Sequence, residues 1–126
     1  LDRIYAENGS KVHRQLFGNA IRYLHRNLII QTKGLPSAGR ITLLHQENRN
    51  RFIIHLLYAP PLERGRCLVI EDLPEIHNVE LSINLKKKIK NAYFLNLKKE
   101  IIIKKNNLLK VKVDKFQMHE ALVLEY

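Results

Sequence analysis

The chain has no tryptophan, a single cysteine and no apolar run long enough to cross a bilayer. Each absence removes a class of function. One cysteine, Cys67, excludes an internal disulfide framework and any cysteine-based metal cluster. The longest apolar run, at Ile101, Ile102 and Ile103, is stopped by Lys104 and Lys105. Without tryptophan, the flat aromatic platform that often binds sugars at a surface has only tyrosine and phenylalanine to draw on. Tyr58, Tyr93, Phe94 and Phe116 remain, and Tyr58 beside Pro60 and Pro61 is the best placed. There is no phosphate-binding loop and no dinucleotide glycine fingerprint. Leu1, Asp2 and Arg3 lead into a mixed polar segment rather than a signal peptide. The lack of an initiator methionine leads us to expect a piece of a longer protein, whose targeting would then be unreadable. A reducing compartment and a bacterial periplasm are both compatible with one thiol.

What is present is a globular composition. Of 126 residues, 45% are hydrophobic, enough to build a core and too many for a disordered chain. The net charge is +10 and unevenly placed. Between Lys86 and Lys115 eleven lysines stand against two acids, Glu100 and Asp114. Such a stretch can collect acidic glycans or nucleic acid by counterion release. Lysines also keep the solvent faces and edges of strands from pairing with other chains. The second reading is the stronger, because the stretch has no arginine and only Tyr93 and Phe94 as aromatics, and nucleic-acid modules favour both.

The pattern along the chain begins with one helix. Asn8-Gly9-Ser10 is a helix start, with the Ser10 hydroxyl placed to accept from a first-turn amide. It is also a glycosylation sequon, the weaker reading. Val12, Leu16, Ala20, Ile21 and Leu24 recur mostly at three- and four-residue steps, with Arg14, Arg22 and Arg26 on the other side. One stripe on one helix makes no core, so it must be covered by a sheet, a neighbouring domain or another copy, and exposure is the least expected state.

After Asn27 the texture is that of strands. Short apolar runs begin at Leu28, Arg40, Arg51, Cys67, Val79, Ile89, Glu100, Leu109 and Glu120, separated by turn residues such as residues 34–39, Asn48-Arg49-Asn50, Pro60-Pro61 and Asn106-Asn107. Val79, Leu81 and Ile83 alternate with Glu80, Ser82 and Asn84, and Val111 and Val113 with Lys110, Lys112 and Asp114. One wet and one dry face result. The expected fold is mainly β: an antiparallel β-sandwich of about eight strands preceded by one N-terminal α-helix.

Candidate chemistry is sparse. His13, His25, His45, His55, His77 and His119 show no His-x-His or His-x-x-x-His pair, so no metal site is expected. His45 and His55 are placed to face each other across the first hairpin, as a packing pair. Cys67 with His77 could form a nucleophile and base, but a cysteine in an apolar strand is expected to be buried and inert. Glu71, Asp72 and Glu75 form an acidic patch near Pro74. Paired carboxylates hydrolyse glycosides only when held across a sugar in a cleft, so these read as a solvated surface. We therefore expect no catalytic residue, no cofactor and no metal. Tyr58, Glu71 and Asp72 are the candidates for a ligand or interdomain contact.

Five segments resemble a known family in order and spacing. They are His13-Arg14-Gln15-Leu16 with Asn19-Ala20, Gly34-Leu35-Pro36-Ser37, His55-Leu56-Leu57-Tyr58, Ile70-Glu71-Asp72-Leu73-Pro74, and the closing residues from His119 to Tyr126. Together they resemble the C-terminal end of beta-galactosidase-like glycoside hydrolases. In that family a catalytic (β/α)8 barrel is followed by a flavodoxin-like trimerisation domain and a small β-sandwich. The resemblance implies that residues 1–27 end the trimerisation domain and that residues 28–126 form a C-terminal accessory β-sandwich. It implies the other domains of a parent chain as partners and homo-oligomerisation through that parent; from the residues themselves no membrane role is expected, and nucleic-acid binding is the weaker reading. The family's catalytic glutamates have no counterpart here. The lysine-rich stretch departs from the family pattern.

Overall fold

The computed structural model describes residues 2–101 and 108–126. The Asn106-Asn107 turn and most of the apolar run before it lie outside the described residues.

Two helices, rather than one, precede the strands. Helix α1 (Asp2–Asn8) ends where Gly9, at φ +60°, donates its N–H to the Tyr5 carbonyl. That left-handed conformation is the usual glycine stop of a helix. Helix α2 (Lys11–Leu24) follows at once. Ser10 is the N-cap residue as expected, but its hydroxyl makes no capping hydrogen bond. The apolar stripe of α2 is uncovered: none of its residues is buried, with Val12 71% and Leu24 82% exposed. The sheet of this chain does not cover the stripe, which leaves a neighbouring domain or another copy as the cover expected from the sequence. The contact across to the loop that follows the next strand is a long hydrogen bond of 3.4 Å from Arg14 to the Ser37 carbonyl.

The sandwich follows from strand β1 (Ile30–Lys33) to strand β9 (Leu108–Glu125). In between lie β2 (Arg40–Gln46), β3 (Arg51–Tyr58), β4 (Leu62–Arg64), β5 (Cys67–Val69), β6 (Glu75–Asn84), β7 (Asn91–Phe94) and β8 (Lys99–Glu100). The runs from Leu109 and from Glu120, read as two strands, are one 18-residue strand. Its first half pairs with β6 and its second half with β3 and β7, all antiparallel. Between the halves Met118 adopts φ 60°, an uncommon conformation for a non-glycine residue. The two halves must fold back on each other there. Residue 84 lies opposite Leu108 and Lys90 bonds to Glu125, so the five residues between them join the two ends of β9. Fully extended, the stretch from residue 84 to residue 90 reaches roughly 22 Å, less than half of what a straight 18-residue strand would span.

This corner makes two layers from one strand. The smaller layer is β1, β6 and the first half of β9; the larger is β2, β3, the second half of β9, β7 and β8. The predicted alternation holds, with Val79, Leu81, Ile83, Val111 and Val113 buried and their neighbours Glu80, Lys110 and Lys112 exposed. These residues close on Phe52, Ile54, Leu56, Phe94, Leu122 and Leu124 from the other layer. In its second half β9 runs between two strands and is buried on both faces from Glu120 to Leu124. The continuous apolar lettering there reflects that central position.

Strands β4 and β5 pair only with each other. The sequence did not flag β4, and it placed Cys67 in a buried strand. The thiol is instead exposed, because this hairpin projects from the sandwich and leaves Leu62, Leu68 and Ile70 exposed as well.

Candidate functional site

The candidate chemistry lies with the histidines and with the acidic segment near Tyr58.

The histidines do not pair as expected. In the β2–β3 register His45 faces Phe52 and His55 faces Thr42. The hairpin has an odd offset between them, which sends the two rings to opposite faces of the sheet. His45 stacks on Phe52 at 4.3 Å between ring centroids, and its Nε2 lies 2.9 Å from the Tyr126 hydroxyl. His55 meets His119 of β9 instead, with Nδ1 of one ring 2.9 Å from Nε2 of the other. One ring donates and the other accepts, according to their tautomers. Among the described residues no group of three or more His, Cys, Asp or Glu side chains converges as a metal site.

The acidic patch is a surface, and its members point to different partners. Both Nε and Nη2 of Arg64, on β4, donate to one carboxylate oxygen of Glu71, at 3.0 and 2.8 Å. Asp72 is exposed. Glu75 accepts from Lys115 at 2.9 Å, and that hydrogen bond and charge hold its carboxyl below the usual range. Asp114 is held low in the same way by Lys99, 2.7 Å away. These are exposed ion pairs of the kind that contributes little to stability. No two of these carboxylates face each other across a cleft, so the arrangement that glycoside hydrolysis requires is not formed among the described residues.

Tyr58, Glu71 and Asp72 nevertheless share a neighbourhood. Tyr58, at the end of β3, lies opposite Met118 at the corner of β9 and packs partly against the core. Gln117, the adjacent residue, donates to the Leu73 carbonyl at 2.6 Å and so fixes the segment carrying Glu71 and Asp72 beside that corner. The projecting β4–β5 hairpin connects the two. This end of the sandwich offers a half-buried tyrosine, an ion pair and three exposed aliphatic side chains.

One structural carboxylate escaped the sequence reading. Glu120 is 1% exposed, and its carboxylate accepts from the backbone N–H of Asn96, Leu97 and Ala121 at 2.9, 3.2 and 2.8 Å. Asn96 also donates from its side chain to the His119 carbonyl at 2.8 Å. Together they pin the turn after β7 to β9. A buried acid with three peptide donors is a structural device, and only its setting in an otherwise apolar run could have signalled it.

The described lysines of the lysine-rich stretch have different settings. Lys99 and Lys115 are in ion pairs, Lys87 stands 5.0 Å over the Tyr126 ring, and Lys110 and Lys112 project from the outer side of the smaller layer.

No family model matches the chain, and no curated protein matches it. A solved structure does. Alpha-L-fucosidase isoenzyme 2 from Paenibacillus thiaminolyticus, a glycoside hydrolase, contains a region of the same fold, with a TM-score of 0.88 and 32% sequence identity. The match covers 97% of this chain and 19% of that one. The chain thus spans about a fifth of the hydrolase it matches, and it corresponds to a domain-sized part of it, helices included.

Proposed function

We propose that the chain is a non-catalytic accessory domain of a larger glycoside hydrolase, of the beta-galactosidase-like type, placed at the C-terminal end. The observation that carries this is the match of nearly the whole chain to a fifth of a fucosidase at 32% identity. The uncovered α2 supports it. A stripe of Val12, Leu16, Ile21 and Leu24 at 46–82% exposure needs a partner, and the end of a preceding trimerisation-type domain would supply one. On this reading residues 1–27 belong to that domain, and residues 28–126 are the terminal sandwich. Tyr58, Glu71, Asp72 and the β4–β5 hairpin form the edge that meets the rest of the parent.

Catalysis is tested directly. The chain alone should release no chromophore from aryl α-L-fucosides, β-galactosides or other aryl glycosides above the uncatalysed rate, because no carboxylate pair among the described residues spans a cleft. Saturable hydrolysis that disappears in Glu71→Gln or Glu75→Gln would overturn the proposal.

A further inference from the structure

The outer side of the smaller layer carries a polar groove that the structural role leaves unused. The strand register places Gln31, Ser82 and Lys110 in one row across β1, β6 and β9. The next row brings Asn84 opposite Leu108, with the Asn84 N–H bonded to the Ile29 carbonyl. Arg26, Asn27 and Leu28, in the short link from α2 to β1, rise along one side of these rows. They close a groove of ≈ 390 Å³ lined by Arg26, Asn27, Leu28, Gln31, Ser82, Asn84, Leu108 and Lys110. A second hollow continues it past Arg26 and Gln31 toward Arg22 and His25.

The chemistry of this lining is one-sided. Two cations, three amides and a hydroxyl converge on it, and no acid lines it. The acid in the neighbouring row, Glu80, lies between Lys33 and Lys112. Among the described residues the side chains of Gln31, Ser82, Asn84 and Lys110 make no hydrogen bond to protein. Arg26 leans on Tyr23, its guanidinium carbon 5.7 Å from the ring centre, which leaves its N–H fork free. Leu28 and Leu108 give the groove an apolar floor. Cations suit a carboxylate or sulfate, amides and a hydroxyl suit the hydroxyls of a sugar, and the leucines suit the C–H face of its ring.

We infer that this groove binds an anionic saccharide, a sugar bearing a carboxylate or sulfate, with Arg26 and Lys110 on the charge and Gln31, Ser82 and Asn84 on the hydroxyls. The groove straddles the boundary after residue 27 that the accessory-domain reading draws, and all of its lining lies within this chain.

The test uses the full chain at physiological salt, titrated by calorimetry or amide chemical shifts. The probes are a sulfated disaccharide, its unsulfated parent, inorganic sulfate and a short single-stranded oligonucleotide. The sulfated disaccharide should bind most tightly, with shifts centred on residues 26–31, 82–84 and 108–110. Arg26→Ala and Lys110→Ala should each weaken it about tenfold or more, while Lys98→Ala, a charge-matched change elsewhere, leaves it unchanged. Unaltered circular dichroism of each variant separates binding from folding. Equal affinity for inorganic sulfate or tighter binding of the oligonucleotide would overturn the assignment. So would equal loss in Lys98→Ala, or no loss in Arg26→Ala and Lys110→Ala.

Discussion

Replacing Glu120 by alanine should destabilise the sandwich by about 3–5 kcal/mol, since each buried N–H left without an acceptor costs about 1–3 kcal/mol and three are involved. The donors are the Asn96, Leu97 and Ala121 amides, and water cannot replace the carboxylate easily at a position 1% exposed. Truncation also leaves a void between Leu56, which faces Glu120 across β3, and the turn beyond β7. A domain of this size loses roughly 4–8 °C of Tm per kcal/mol, so the melting point should fall by more than about 10 °C. Glu120→Gln keeps one accepting oxygen and should cost less, about 1–2 kcal/mol. Thermal and urea unfolding of the two variants measures both. A Glu120→Ala protein that melts with wild type would show that the turn after β7 is held by something other than this carboxylate.

Gly34→Ala should be strongly destabilising for a single added methyl. Gly34 has φ +85°, where side chains are strained, and a Cβ there would lie 2.7 Å from the Asn78 carbonyl oxygen. That oxygen belongs to backbone in the middle of β6, where Asn78 itself has φ 55°. Neither partner can yield without disturbing the β1–β6 ladder. Strain of this kind costs about 1–3 kcal/mol before the clash is counted, and we expect a total of about 2–4 kcal/mol. Gly65→Ala is the control: its φ is also positive, at +61°, but nothing lies within 4 Å of the added carbon. Urea midpoints should therefore rank wild type above Gly65→Ala and Gly65→Ala above Gly34→Ala. Equal losses in the two variants would place the cost in backbone strain alone and contradict the clash.

The fold was legible in the sequence where a strand has one wet face. Val79, Leu81 and Ile83 against Glu80, Ser82 and Asn84 gave β6 its face, and Arg51 and Tyr58 bound β3 as read. It was not legible where burial came from tertiary position. The β9 corner turns on a left-handed Met118, a conformation that no residue type there announces, so one strand read as two. Cys67 lies in an apolar run that belongs to an isolated hairpin, and apolar lettering alone cannot tell a core strand from a projecting one. The histidine pair failed by parity: His45 and His55 stand on opposite faces of their hairpin, and the true partner, His119, is 64 residues away from His55. The polar groove beside Arg26 needed three strands in register and the Arg26 link next to them, a juxtaposition that spacing within any one segment does not show.

The central claim is that a self-sufficient sandwich carries a helical arm made for another domain. Its most direct measurement compares the full chain with residues 28–126 by thermal melting and by size in solution. With no residue of α2 buried and one long hydrogen bond tying it to the 34–39 loop, the shortened chain should melt within about 4 °C of the full one. It should also run as a monomer under conditions where the exposed stripe makes the full chain self-associate. A shortened chain that fails to fold would put the helices in the sandwich core and contradict the account.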